Sequence, residues 1–194
     1  MSDSQLIRDF WLWFASNIDP ITNAYDSSDA NWLRANVGPR VKSLGSPLNW
    51  EIGPYHDPDY TLVFSPTIRE NLPLTRSIVD AAPEIDRWHF LHAKPPKELL
   101  SLHFDSGGHS VSADNWLYTL TAYNAGEFVD IDVYLDAPIP SDRMFSELVV
   151  ESLLGEEVRL DRIGYITPHV ADDAPDNVTP IQHLKDHLDD VLAP

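Results

Sequence analysis

The amino-acid sequence predicts an α+β fold, in which two ββαβ units form a mostly antiparallel sheet with helices packed on one face. Three patterns indicate this class. Apolar residues recur every three or four positions near both ends of the chain, and they alternate with polar residues in short segments between. The order strand–strand–helix–strand then occurs twice, which suggests a duplication. With 194 residues, 43% of them hydrophobic, we expect a single α+β domain over 1–194.

The helical N-terminal segment, 1–46, begins with an amphipathic helix. Leu12 and Trp13 lie away from its main apolar face, and we expect them to pack under another element, with a second contact surface as the alternative. A second helical stretch, 29–44, is interrupted at Gly38-Pro39, because proline removes a backbone donor and clashes one turn back. The residues of the first apolar face are Leu6, Ile7, Phe10, Trp11, Phe14 and Ile18.

The first ββαβ unit is predicted over 47–94. Alternating apolar residues indicate strands at 48–52 and 60–64, joined by a turn-rich loop. A helix should begin near Pro73, since proline is tolerated in a first turn, and end before Pro83. A third strand follows over 87–93. We therefore expect a hairpin, a helix and one further strand.

The second ββαβ unit is predicted over 110–168, after a linker that contains two prolines and two glycines. Its strands are expected at 116–123, 128–135 and 163–167, and its helix should be capped by Ser141 and end at Gly155. A C-terminal helix over 179–192 should have Thr179 as its N-cap and Pro180 as its first residue. The second ββαβ unit and the C-terminal helix complete the predicted fold.

Composition excludes several classes of function. The chain has no cysteine, which removes disulfides, thiolate metal sites and cysteine nucleophiles. It carries 13 basic and 31 acidic residues, a net charge of −18, so binding to nucleic acid or to an anionic membrane is not expected. The N-terminus has no basic segment followed by a long apolar run, and a cytoplasmic location is the expectation.

Four short segments, taken together, resemble a family of uncharacterised bacterial proteins. They are Phe10-Trp11-x-Trp13-Phe14, Trp50–Pro54 (WEIGP), Ala81–Trp88 (AAPxxDRW), and Leu154–Glu157 continuing to Ile163-Gly164. The resemblance extends over nearly the whole chain. It implies an α+β domain and no known activity, so it assigns no catalytic residue.

The strand predicted over 128–135 carries the candidate binding face. Its odd-numbered residues are apolar and should face the core. The even-numbered residues, which include Asp130 and Asp132, then share the opposite face. Two carboxylates side by side on that face can bind a cation, a partner's arginine or a metal, or serve as acid and base. Acids on an exposed sheet face can also serve only to prevent aggregation. The residues of this face are Phe128, Asp130, Asp132 and Tyr134.

The residues opposite the two carboxylates depend on the turn of the 116–135 hairpin. A two-residue loop at Ala125-Gly126 places Thr119 and Thr121 across from them, whereas a three-residue loop with a bulge at Gly126 places Tyr118 and Leu120 there. Turn chemistry favours the bulge. We predict the first register, because a slip of one residue would expose a whole apolar face.

One spacing is typical of metal ligands. His103, Asp105 and His109 lie on a glycine-containing segment and offer imidazole and carboxylate groups. No fourth ligand is evident, and histidines in so acidic a chain cluster with carboxylates by chance. We therefore predict neither a metal nor another cofactor, with these three residues as the alternative metal site.

Charge is distributed unevenly along the chain. Residues 1–126 carry 9 bases and 15 acids, a net charge of −6, while 127–194 carry 4 bases and 16 acids, a net charge of −12. The sequence favours a non-catalytic, acidic protein that binds a basic protein partner, as toxin-neutralising immunity proteins do. The alternative is a hydrolase that uses the paired carboxylates or the His/Asp metal site.

Overall fold

The computed structural model describes residues 3–56, 58–97, 101–106 and 108–192, and it has the predicted α+β class. The chain divides into two compact units, Met1–Lys94 and Pro95–Pro194, each with a hydrophobic core of its own. The sequence was expected to form one domain over 1–194, and the boundary falls at the start of the proline-containing linker.

The described part of the first unit opens with four α-helices: α1 (Asp3–Ser16), α2 (Ile18–Asp26), α3 (Ala30–Asn36) and α4 (Gly38–Lys42). The predicted break at Gly38-Pro39 is confirmed, because α3 and α4 are separate helices. Helix α2 was not predicted. The side chain of Asp29 caps α3 by accepting a hydrogen bond of 2.9 Å from the backbone N–H of Trp32.

The first sheet follows these helices. It contains β1 (Asn49–Pro54), β2 (Tyr60–Ser65) and β3 (Trp88–Leu91), with α5 (Leu72–Asp80) between the second and third strands. Strand β1 pairs antiparallel with β2, and β2 pairs parallel with β3. The core includes aromatic rings of α1 that pack against those of the sheet: Phe10, Trp11 and Phe14 against Phe64, Trp88 and Phe90.

The described residues of the second unit form a hairpin, a four-stranded sheet and three α-helices. The hairpin consists of β4 (His103–Ser106), within the segment expected to be a linker, and β5 (His109–Ser112), which begins at the end of that segment. The sheet has the order β8-β7-β6-β9. Its strands are β6 (Leu117–Tyr123), β7 (Phe128–Leu135), β8 (Ile163–Val170) and β9 (Thr179–Pro180), and the helices are α6 (Asp142–Leu154), α7 (Glu156–Arg162) and α8 (Leu184–Val191).

The two units repeat one strand topology, as the sequence predicted. In each, an antiparallel hairpin is followed by a helical connection and a third strand parallel to the second. The expectation of a single shared sheet is wrong, because β1–β3 and β6–β9 form separate sheets. The helical connection brings the chain back to the end of the sheet where the second strand began, so the third strand runs parallel to the second. Each sheet therefore contains a parallel pair beside its hairpin.

The C-terminal segment differs from its prediction at its start. Thr179 and Pro180 do not begin a helix, since they pair as β9 with Tyr118 and Leu117 of β6. The backbone N–H of Ile181 continues this contact by donating to the carbonyl of Trp116 at 2.9 Å. Pairing with the free edge of β6 satisfies backbone groups that a helix cap would leave in solvent. Helix α8 begins at Leu184, after a short 3-10 turn.

Helices α6 and α8 pack on one face of the second sheet. Leu184 and Leu188 of α8 and Phe145 and Val149 of α6 are almost fully buried in one core cluster with Val129, Ile131 and Val133 of β7. The predicted capping of α6 by Ser141 is wrong: the backbone of Ser141 is left-handed, with φ 58°, and its side chain makes no capping hydrogen bond. Gly155 ends α6, as predicted.

Tyr118 connects this sheet to α8. Its buried hydroxyl and Nδ1 of His187 share a hydrogen bond of 2.9 Å. Burial, with a smaller effect of the Asp186 carboxylate, raises the pKa of Tyr118 to about 12, from its ordinary value of 10.0. The folded protein therefore keeps this phenol protonated over a range of pH in which the unfolded chain loses the proton.

Alkaline pH should weaken the fold through this residue. The contribution of Tyr118 is fully present below pH 10 and is lost as the pH rises towards 12, so the free energy of unfolding should fall by up to about 3 kcal/mol across this window. Urea unfolding of the wild type and of Tyr118→Phe between pH 9 and 12 measures it. Tyr118→Phe should lack this part of the pH dependence. If the free energy of unfolding fell equally with pH in both proteins, the decrease would not come from Tyr118.

Candidate functional site

The hairpin of β6 and β7 has the register that the hydrophobic pattern predicted. Thr119 lies opposite Asp132, and Thr121 lies opposite Asp130. The loop between the paired residues Tyr123 and Phe128 spans residues 124–127, of which the first three have left-handed backbones. The two carboxylates and the two threonines thus share the face of the sheet that lies opposite the helices.

Asp130 lies at a β-bulge in the neighbouring strand. Val129 pairs with Ile163 and Ile131 with Ile166, so two residues of β8, Gly164 and Tyr165, lie opposite Asp130 alone. Oδ1 of Asp130 accepts a hydrogen bond of 2.9 Å from the backbone N–H of Tyr165. A Cβ atom on Gly164 would lie 2.5 Å from the same oxygen, which explains a glycine at this position.

Asp132 makes a different contact. Its Oδ1 accepts a hydrogen bond of 2.8 Å from Nε2 of His169, and both side chains are 36% exposed. The His169 ring stacks on Tyr134, with 5.2 Å between ring centroids. Tyr134, which the sequence placed on the candidate face, is only 7% exposed and so offers little contact area. Phe128 is half-buried.

Two tyrosines that the sequence analysis did not select lie beside Asp130. Tyr165 is 72% exposed and Tyr123 is 45% exposed. A hydrogen bond to Asp130 raises the pKa of Tyr123, with smaller contributions from desolvation and from the charges of Asp130 and Asp132. Two signals in the sequence could have identified them. In the predicted register Tyr123 lies opposite Phe128, and Gly164, inside the predicted strand 163–167, precedes Tyr165. We call this surface the acidic face: Thr119, Thr121, Tyr123, Asp130, Asp132, Tyr165 and His169.

The charge surrounding the acidic face is strongly negative. The first unit has 8 bases and 12 acids, a net charge of −4, whereas the second has 5 bases and 19 acids, a net charge of −14. Residues 98–142 and 163–184 contain no lysine or arginine, so all four strands of this sheet lack both. The potential at the acidic face therefore favours cations.

The alternative metal site predicted on His103, Asp105 and His109 is wrong. His109 lies opposite Ser106 in the β4–β5 hairpin, and strand alternation then places it on the other face from His103 and Asp105. Nδ1 of His103 lies 3.5 Å from Oδ2 of Asp114 instead. Among the described residues, no group of three His, Asp or Glu side chains could hold a metal ion.

Histidine–carboxylate pairs occur elsewhere without forming a larger centre. In the first unit, Nε2 of His89 lies 3.1 Å from Oδ2 of Asp59, and its ring stacks on Tyr55 at 4.0 Å between centroids. The two cavities described in that unit are lined by neither histidine nor carboxylate. Neither of these two cavities therefore has the converging His and acidic side chains that are expected of a hydrolase.

Comparison with known proteins found no match among family models, curated proteins or solved structures. No helix among the described residues is both long and apolar enough to cross a membrane.

Proposed function

We propose that the protein is a non-catalytic binding protein whose acidic face recognises a basic protein partner, in the manner of a toxin-neutralising immunity protein. One observation carries the proposal. The face of the second sheet that lies opposite its helices presents Asp130 and Asp132 beside exposed tyrosines, and no strand of that sheet contains lysine or arginine.

The side chains of this face suit recognition of arginine or lysine. Oδ2 of Asp132 accepts a hydrogen bond from no described residue and can accept one from a partner's guanidinium. The rings of Tyr123 and Tyr165 supply apolar area and a surface on which a cation can stack. The net charge of −14 of the second unit adds long-range attraction for a basic protein.

The hydrolase alternative has less support in the geometry. Asp130 is held by the backbone of Tyr165 and by Tyr123, and Asp132 is held by His169. Paired carboxylates in catalysis need to share a substrate-sized space, and neither described cavity contains them. The separate partners of the two acids favour a binding surface.

Affinity capture with three bait proteins tests the proposal. The baits are the wild type, Asp130→Asn with Asp132→Asn, and the matched control Asp189→Asn with Asp190→Asn, which removes two exposed acids of α8. Both variants lose the same charge from the same unit. Lysate of the native host is applied to each bait, and the retained proteins are quantified by mass spectrometry.

The expected result is a protein of basic isoelectric point that the wild type and the α8 control retain equally and the face variant does not. Equal losses from both variants would mean that overall charge, and not this face, controls binding. Equal retention by all three baits would contradict the proposed role of Asp130 and Asp132.

A further inference from the structure

A cavity of about 480 Å³ lies in the first unit, between α1 and the C-terminal end of α5. Its volume is within the usual range of small-molecule sites, about 300–1,000 Å³. Helix α1 supplies Ser4, Ile7, Arg8, Trp11, Leu12 and Ala15, and residues from α5 onward supply Ser77, Ala81 and Pro83. None of these residues belongs to the acidic face.

The cavity wall is fixed by the core of the unit. The indole N–H of Trp11 donates a hydrogen bond of 2.8 Å to the carbonyl of Ile78, which joins α1 to the last turns of α5. The Trp11 ring packs edge-on against Phe64 and Phe90 of the sheet. Ile7 and Trp11 are mostly buried, so the apolar wall exists before any ligand binds.

The lining has one charged group, and it is a cation. Arg8 is exposed, and its guanidinium lies within ion-pair distance of no carboxylate in the described part of the chain. The neighbouring acid, Asp9, accepts a hydrogen bond of 2.7 Å from Gln5. An exposed guanidinium at the rim of an apolar cavity favours an anionic group on the ligand.

The remaining lining is complementary to a hydrocarbon chain. Leu12 is 63% exposed at the cavity, although a leucine side chain gains free energy from contact with apolar surface. The Ser77 hydroxyl donates to the carbonyl of Pro73 at 2.8 Å and so offers a ligand only an acceptor. Arg8 and Ser4 are then the side chains able to donate hydrogen bonds to an anion.

We propose that this cavity binds an amphipathic carboxylate, with its hydrocarbon chain along Ile7, Trp11 and Leu12 and its carboxylate on Arg8. The guanidinium can donate two parallel hydrogen bonds to one carboxylate. This site is independent of the acidic face, and each can be tested without the other.

Titration calorimetry with decanoate, below its micelle concentration, tests the site. Decylammonium is the critical comparison, because non-specific attraction to a protein of net charge −18 would favour the cation. Acetate tests the head group without the chain. We expect saturable binding of decanoate, at least about tenfold tighter than decylammonium or acetate. The NMR signal of the Trp11 indole N–H should shift during the titration.

Substitutions then locate the ligand. Arg8→Gln should weaken decanoate binding about tenfold and remove the preference over decylammonium, whereas Arg34→Gln, an exposed arginine outside the cavity, should change neither. Leu12→Ala should weaken binding, and Ile68→Ala, an exposed apolar control, should not. Arg8, Arg34, Leu12 and Ile68 are all exposed, so these variants should fold. Tighter binding of decylammonium, or unchanged decanoate affinity in Arg8→Gln, would overturn the proposal.

Discussion

Replacing Asp130 and Asp132 together by asparagine is expected to slow association with the basic partner about tenfold at low ionic strength. The dependence of the association rate on salt should also become less steep, because two charges that attract the partner are gone. Stopped-flow or surface-based kinetics at several salt concentrations, with the captured partner, measure both effects. The Asp189→Asn, Asp190→Asn control should keep a rate much closer to that of the wild type.

The same double variant should be nearly as stable as the wild type. Asparagine keeps the carbonyl oxygen that accepts from the Tyr165 backbone at position 130 and from His169 at position 132. We expect the free energy of unfolding to change by less than about 1 kcal/mol, measured by urea denaturation. A variant that unfolds readily would show that the carboxylates are structural, and the acidic face would lose its principal residues.

Phe14→Ala should lower the free energy of unfolding more than Leu12→Ala or the double variant at Asp130 and Asp132. This side chain is fully buried in the first unit and contacts the rings of Trp88 and Phe90 at 5.2 and 5.7 Å between centroids. Phe14→Ala removes the ring from an aromatic cluster that joins α1 to β3. The cost should be about 3–5 kcal/mol, from lost burial and from the cavity left behind.

Urea denaturation combined with hydrogen exchange checks this expectation. Exchange should accelerate in α1 and β3, whose rings contact Phe14. Leu12→Ala is the matched control in the same helix, since Leu12 is 63% exposed and its loss should cost less than about 0.5 kcal/mol. Similar stability losses for the two variants would contradict the packing described for α1.

The sequence predicted those features that depend on local periodicity. The alternation of apolar residues in β7 identified both its core side and its register with β6. The amphipathic pattern identified α1, and Gly38-Pro39 located the break between α3 and α4. Each of these depends on a pattern that one element shows by itself, without its neighbours.

Features that depend on pairing between distant segments were not predicted. His169 reaches Asp132 only because β8 lies parallel to β7, and β9 forms only because β6 has a free edge. The bulge at Gly164 turns Tyr165 outward, whereas strict alternation from Ile163 would have placed it in the core. The spacing of His103 and His109 likewise indicated a metal site that does not form, since the two residues lie on opposite faces of the β4–β5 hairpin.

The bulge gives β8 an unusual tolerance of length. Ile163 and Ile166 both face the core although they are three positions apart, because Gly164 adds one residue to the strand. A chain shortened by that glycine would have an uninterrupted alternation from Ile163 through Thr167, with every buried residue still buried. Deletion of one residue from a strand ordinarily exchanges its inner and outer faces. Here the shorter strand would be the regular one, and Asp130 would be released from the Tyr165 backbone.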